Sequence, residues 1–414
     1  MTCVRVDLSG QMPRLDNDDR GTKRPDTCAP MDRPTEARAI TSGAHHFFGY
    51  YDKFPWDATG RYHLVQQVRF MDRMPETDDR AVVGMVDTAN GNRFIPLDET
   101  TAWCWQQGTM LQWLGNAPDR EIVYNIREAG AFKARIRDVR SGQVRTLPRP
   151  VYAMTSDGTR AGTLNFSRVH DVRPGYGYCG IPDPNADVLA PEDDGVWVMD
   201  MGTGAATLIV SLAALAALQP DPSFQGAKHR VKHFCWNPSG TRLLFLHRWA
   251  DPVKLRPWRT RMFTVNPDGS GLCLVQDEMT SHFDWRDDDH ILAWTRRDGR
   301  DHFHLFRDKT DRVEIVGAGV MAADGHCSYS PDRRWILNDT YPEGNPPRRT
   351  LYRYRVADGR RFDLGRFLTQ DPNKIYGPIR CDLHPRWSRD GSRISFDSLH
   401  EGTRQVYVME ATCV

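Results

Sequence analysis

No stretch of this 414-residue chain reaches the roughly 20 consecutive apolar residues that a membrane span needs. The longest apolar-leaning segment, residues 205–218 (AATLIVSLAALAAL), is too short to span and reads as a buried strand running into a helix. The N-terminus, MTCVRVDLSGQMPRLDNDDRGTKRPD, lacks the apolar core of an export signal, so a cytoplasmic location is expected. Excess charge is missing too: 55 Lys and Arg stand against 54 Asp and Glu, a formal net charge of +1. A general nucleic-acid or acidic-membrane binder would carry a clear basic excess, so neither partner is expected. Any anionic ligand must be held by a local cluster of charge. The nine cysteines show no CxxC or paired spacing, which argues against a disulfide framework and fits a reducing compartment. Helical periodicity is nearly absent as well, which sets aside a helix bundle.

What remains is an ordinary globular composition, 39% hydrophobic and 26% charged, with ample material for a core. Residues 1–37, rich in Asp, Arg, Pro and Thr, read as a mobile tail ahead of one domain spanning 38–414. Within that domain one pattern recurs: an aromatic or apolar residue, a polar turn ending in Asp-Gly or Ser-Gly, then an alternating strand. Its clearest copies are CWNPSGTRLLFLHR (235–248), SYSPDRRWILNDTY (328–341) and RWSRDGSRISFDSL (386–399). Weaker copies begin at residues 54, 153 and 284, and QWLGNAPDREIVYN (112–125) fits with a longer turn. Each copy is a hairpin, because Asp, Asn, Pro and Gly supply the turn geometry and the period-2 pattern makes a half-buried or buried strand.

Sheets of this kind cannot bury both faces alone, and packing them radially solves that. Spacing between turns is mostly near the roughly 40–50 residues of a blade. The expected fold is therefore all-β, a seven-bladed β-propeller of four-stranded blades. The long interval between Ser156 and Pro238 contains residues 170–195 (HDVRPGYGYCGIPDPNADVLAPEDDG), read as a loop over one mouth of the channel. The last unit runs out of chain before its fourth strand, so the segment around Glu36 to Ser42 is expected to fill that place and close the ring.

Aligned on the aromatic residue before the turn (Trp236, Trp285, Tyr329, Trp387), the four C-terminal units carry His233, His282, His326 and His384 three residues earlier. With 14 His in 414 residues, roughly one position in thirty, composition does not account for four in a row. This position lies on or just before the innermost strand, so four imidazoles are expected to face the channel. The alternative is a scaffolding histidine of the kind found in WD repeats. Against it, the first three units have Lys53, Met110 and Val151 in this place, and a scaffold role should recur all round the ring. Convergent His with a carboxylate is the usual make-up of a transition-metal site, with Asp382 and Cys327 near enough in sequence to add ligands.

Five segments resemble the oligogalacturonate lyase family and related propeller-type polysaccharide lyases, on a TolB-like seven-bladed scaffold. They are HHFFGYYDKFPWD (45–57), QQGTMLQWLG (106–115), SHFDW (281–285), DGHCSYSPDRRWILNDTYP (324–342) and RCDLHPRWSRDGSRISFDSLHEGTRQVY (380–407). The resemblance implies a divalent metal (Mn, Zn or Ca) held by channel histidines, and β-elimination on a uronate-containing oligosaccharide. By position it makes His326 and His384 metal ligands, His282 the catalytic base and Arg248 the substrate-guiding arginine. Asp382 stands where the family has a third ligating imidazole, and His233 is a supplementary ligand or a structural residue. The expected partner is thus an acidic oligosaccharide.

The chemistry asks for the same parts without the family. Removing a proton alpha to a carboxylate needs a base, and the developing charge needs a metal or an arginine. A neutral imidazole suits the base. Tyrosines can protonate the leaving oxygen, and Arg binds carboxylates bidentately. Two places concentrate such residues: 166–178 offers Arg168, His170, Arg173, Tyr176 and Tyr178, and 45–52 offers His45, His46, Tyr50, Tyr51 and Asp52. The first five, with Tyr50, Tyr51 and the adjoining Lys53, are expected to bind substrate. Phe47 and Phe48 read as blade core, and Trp105, Trp113, Trp236 and Trp387 as packing between blades. Two rivals stand beside the lyase: a non-catalytic TolB-like propeller that binds a protein or peptide, and a metal-dependent glycoside hydrolase on the same scaffold.

Overall fold

A computed structural model describes residues 36–369 and 377–411. The tail expected over 1–37 therefore lies, but for Glu36 and Ala37, outside the described residues. The described residues form seven four-stranded antiparallel sheets, each built from consecutive strands except the last. Blades one to six occupy residues 45–100, 112–147, 153–211, 228–276, 280–316 and 328–368. Blade seven takes Arg386–Trp387, Arg393–Ser398 and Gln405–Glu410, and its fourth, outermost strand is Arg38–Ala39 from the start of the chain.

The expected closure is thus made by the chain's own beginning. Arg38 lies opposite Val408 and Ala39 opposite Tyr407, and the Ile40 amide donates to the Val406 carbonyl at 2.9 Å. Ile40 then packs with Val65 and Val86 of blade one and Val406 of blade seven, sealing the seam with apolar surface.

In four blades the aromatic before the turn is a stitch to its neighbour. The indole Nε1 of Trp113 donates to the Pro55 carbonyl, Trp236 to Ala153, Trp285 to Cys235 and Trp387 to Ser328, at 2.9–3.4 Å. Every one of these bonds reaches back to the preceding blade, so a buried indole finds its partner across the interface. Apolar contact follows the same plan: Leu244, Leu246 and Met262 of blade four meet Phe283, Trp285 and Ile291 of blade five. The core is therefore a series of inter-blade layers around a channel.

The segment from blade three to blade four differs from a plain loop. Phe166–Val172 is a helix capped by Asn165, followed by irregular chain to Asp194. The stretch at 205–218 is a strand, Ala206–Ser211, running into a helix, Leu212–Ala217, as expected. Among the described residues no helix is long and apolar enough to cross a membrane.

Ile40→Ala removes the seal of the ring while leaving the strand bonds in place. It should lower unfolding stability by about 2–5 kcal/mol, read from urea denaturation followed by tryptophan fluorescence. Val144→Ala, at a side chain 51% exposed, should leave the midpoint unchanged.

Candidate metal centre and its surroundings

The histidine register falls where the sequence places it. His233 and His282 sit in the innermost strands Lys228–Trp236 and Thr280–Trp285, each at a bulge, and His326 and His384 stand two residues before the strands Ser328–Tyr329 and Arg386–Trp387. His233 and His384 take the left-handed backbone at φ +55° and +42°, and Met110 of blade two does so at φ +55°. The kink is thus shared by three of the seven register positions and does not depend on the imidazole. All four rings are buried. His326 lies 4.1 Å from His282 and 4.3 Å from His384 between ring centroids.

Two tyrosines plug the channel beside them. Asp397 accepts the amides of Phe48 and Gly49, and Arg386 bridges the Asp397 carboxylate (2.7 Å) and the Gly49 carbonyl (3.2 Å). Gly49, at φ +124°, runs so close to Gln107 that a Cβ would stand 2.9 Å from its carbonyl oxygen. That clamp turns Tyr50 and Tyr51 into the channel. The Tyr50 hydroxyl lies 3.4 Å from His233 Nε2, and its ring is 5.0 Å from that of His384. The Tyr51 hydroxyl donates to the Phe283 carbonyl and accepts from the Phe283 amide, so it pins blade five.

His326 is oriented by its own blade. Its Nδ1 lies 2.9 Å from Asp339 Oδ1, and its amide donates to the same oxygen at 2.7 Å. A Cβ at Gly325 would sit 1.9 Å from the Asp339 carbonyl oxygen, so only glycine lets the chain come this close. With Nδ1 on a carboxylate, Nε2 is left as an acceptor, and it is buried with no hydrogen-bond partner. His384 Nε2 is likewise buried and unpartnered, 3.9 Å from Asp382 Oδ2. His326, Asp382 and His384 each offer one ligand atom within 4.8 Å of the others.

Asp382 is held by Arg349 Nη2 at 2.7 Å and Arg380 Nε at 2.8 Å. Neither contact is aligned as a hydrogen bond, so the carboxylate keeps lone pairs for a further cation. Despite burial, Arg380 and Arg349 hold its carboxyl far below the usual range. Two orphaned imidazole nitrogens and an ionised carboxylate are a donor set that fits a divalent transition ion. The Asp339 carboxylate behind His326 is the usual outer partner of such a ligand.

His282 stands beside this group. Its Nδ1 lies 2.9 Å from Asp324 Oδ1, which leaves Nε2 free of that partner. Burial lowers its pKa, against the opposing pull of Asp324. Burial, and then the positive charges of Lys232 and Arg248, lower that of His233 further. Arg248 is buried on the second strand of blade four, donating to Thr260 Oγ1 and the Thr280 carbonyl. Burial and the neighbouring Arg173 press its pKa down to about 10.

Of the residues read as substrate contacts, the structure brings Tyr50, Tyr176 and Arg173 to this side of the channel. The Tyr176 hydroxyl accepts from Arg380 Nη2 at 3.0 Å, and Arg173 stacks on the Tyr176 ring at 4.9 Å. Others belong elsewhere. Arg168 spends its guanidinium on Asp183 and on the carbonyls of His229, Asn185, Val188 and Leu189, so it staples the long segment to blade four. Tyr178 is core, stacked on Phe166 at 4.2 Å with its hydroxyl accepting from Asn125. His170 lies on the helix Phe166–Val172 and makes no described contact with the histidine group.

Lys53 pairs with Asp52 at 2.8 Å and lines a cavity of about 330 Å³ on the far side of the tyrosine plug, with Trp236, Trp285 and Trp387. Cys327 packs among Leu292, Phe303 and Tyr352, away from the ligand atoms. His233 gives its Nε2 to Tyr50 and is outside the ligand group. Sequence reading did not single out Asp324, Asp339, Arg349, Arg380 or Tyr341, whose ring lies 6.4 Å from His282 and 6.3 Å from His326. Asp324, Asp339 and Tyr341 all stand in the quoted segment 324–342, yet no repeat register marks them.

No protein-family model and no curated protein matches the chain. Among solved structures it is similar to oligogalacturonate lyase from Vibrio parahaemolyticus, at 13% identity and a TM-score of 0.63 over 92% of this chain and 95% of that one. An oligogalacturonate lyase in complex with manganese gives 14% identity and a TM-score of 0.63, covering 91% of this chain and 93% of that one. The tricorn protease gives 11% identity and a TM-score of 0.52 over 90% of this chain but 34% of the protease. Identities this low establish the shared propeller fold, which serves lyases and peptidases alike.

Calorimetric titration with MnCl₂ checks the donor set. His326→Ala and His384→Ala should abolish binding seen with the wild type, and Asp339→Asn should weaken it about 10–100-fold through the outer shell alone.

Proposed function

We propose that the protein is a metal-dependent lyase that cleaves uronate-containing oligosaccharides by β-elimination. The observation that carries this reading is the paired orphan: two buried, unpartnered imidazole nitrogens beside Asp382, with a third, carboxylate-oriented histidine next to them. Other buried atoms, such as both ring nitrogens of His63, also lack partners, but among the described residues only these two imidazoles converge with a carboxylate within 4.8 Å, as a ligand-binding centre requires.

Two imidazoles among three donors suit Mn or Zn better than Ca, which prefers oxygen. The similar lyase solved with manganese supports that choice. When bound, the ion would neutralise charge on the uronate carboxylate as the C5 proton leaves. The protein's own residues do the rest. Asp324 holds His282 Nδ1 and so presents Nε2 as the base, and the lowered pKa keeps that imidazole neutral near pH 7. The C5 proton passes to His282, the C4–O bond breaks, and the C4=C5 double bond forms. Tyr176 or Tyr341, both hydroxyl donors at this side of the channel, returns a proton to the leaving oxygen. Arg248 and Arg173 orient the acidic substrate by charge.

The test is incubation with a panel of uronate oligosaccharides while the unsaturated product is followed by ultraviolet absorbance. Expected is an absorbing product, with kcat reduced roughly 10²–10⁴-fold in His282→Ala. Cleavage without that absorbance would mean hydrolysis. No turnover of any uronate would make the non-catalytic propeller the better account.

A further inference from the structure

Arg230 and Lys232 share one face of the inner strand of blade four, where alternate side chains point the same way. Arg230 pairs directly opposite Arg248, so two guanidiniums are neighbours on that face. All three guanidinium nitrogens of Arg230 and the Lys232 Nζ are buried with no hydrogen-bond partner. Among the described residues no carboxylate forms an ion pair with Arg173, Arg230, Lys232 or Arg248. The nearby acids are engaged: Asp183 with Arg168 and Lys228, and Asp382 with Arg349 and Arg380.

Burying a charge without a counter-charge is costly, and burying several together costs more. Aromatic faces offset only part of this. Lys232 Nζ lies 3.6 Å over the Tyr176 ring, Arg173 stacks on Tyr176 at 4.9 Å and on Trp258 at 4.5 Å, and Arg256 covers Trp258 at 4.4 Å. Cations and rings thus alternate from the exposed Arg256 inward to Lys232. The inner end meets the metal-ligand group through two residues, because Lys232 lies over Tyr176, whose hydroxyl is bonded to Arg380, which holds Asp382.

We propose that Arg173, Arg230 and Lys232 form an oxyanion subsite that takes a second acidic group of the ligand, a carboxylate or a sulfate ester, beside the group held at His326, Asp382 and His384. This rests on the acidic-oligosaccharide reading above. The counter-charge that the fold omits is then supplied by the ligand, and the cation–aromatic ladder is its way in from the rim.

The experiment is thermal unfolding of the full chain in low-millimolar sodium sulfate, against sodium chloride of equal ionic strength to cancel general salt effects. Sulfate should raise the wild-type midpoint, and Arg230→Met and Lys232→Met should each weaken the apparent sulfate affinity about tenfold. Without sulfate both variants should melt no lower than the wild type, since each loses an unpaired buried charge. Arg173→Gln, at the half-buried rim, should weaken the response without touching the core. An unchanged sulfate response in all three variants, or none in the wild type, overturns the proposal. So does a large fall in the sulfate-free midpoint of Arg230→Met and Lys232→Met with the Arg173→Gln response intact.

Competition against sulfate by a uronate monomer, a uronate dimer and a sulfated monosaccharide then names the source. A dimer better than the monomer points to a neighbouring carboxylate, and a better sulfated sugar points to the ester. Neither exceeding the monomer counts against a second acidic group. A sulfate response without unsaturated product would sink the lyase and keep the subsite, and product without the response would do the reverse.

Discussion

A four-stranded sheet that is apolar on both faces has no stable existence alone, and the ring is the arrangement that covers every face at once. Everything at the channel depends on that constraint. Each inner-strand indole is tied to the blade before it, and Arg38–Ala39 ties the last blade to the first. Once the ring is shut, equivalent positions of neighbouring inner strands must approach one another. That is why residues 44 to 58 apart in the chain place imidazoles about 4 Å apart, as His282, His326 and His384 do.

Convergence alone would give a cluster of histidines in no fixed state. Carboxylates give it direction. Asp339 and Asp324 each take an Nδ1, and so decide which nitrogen of His326 and His282 is free. Asp382 joins the group and is balanced by two arginines. The rest of the neighbourhood is positive, from Arg248 and Arg230 through Lys232 to Arg173. A chain with almost no net charge therefore keeps a strongly cationic corner, and the acids that balance it in the total lie elsewhere.

The register of turns and aromatics made the seven blades, the closing strand and the four inward histidines legible, because a propeller repeats one local pattern and local pattern is written in sequence. Asp382 was found through family likeness and His384's proximity. Arg168, Tyr178 and Lys53 were chosen for their chemistry within rich segments, and each turned out to be used differently. Arg168 meets carbonyls of the segment that folds over it, Tyr178 stacks into the core, and Lys53 lies across the tyrosine plug. A residue's type says what it can bind, and its partners depend on chain that is distant in sequence.

By itself, then, the sequence determined the number of blades, the place of each inner strand and the register at which histidine recurs. How the four divide was implied by family likeness, and only the tertiary structure supplied the contacts behind it. His326 and His384 keep bare nitrogens turned to Asp382, His282 is bound to Asp324, and His233 faces Tyr50. The same holds for the unpaired cations of blade four, since whether a buried charge has a partner depends on distances across the ring. Those distances are set by radial packing, which no spacing within a repeat records.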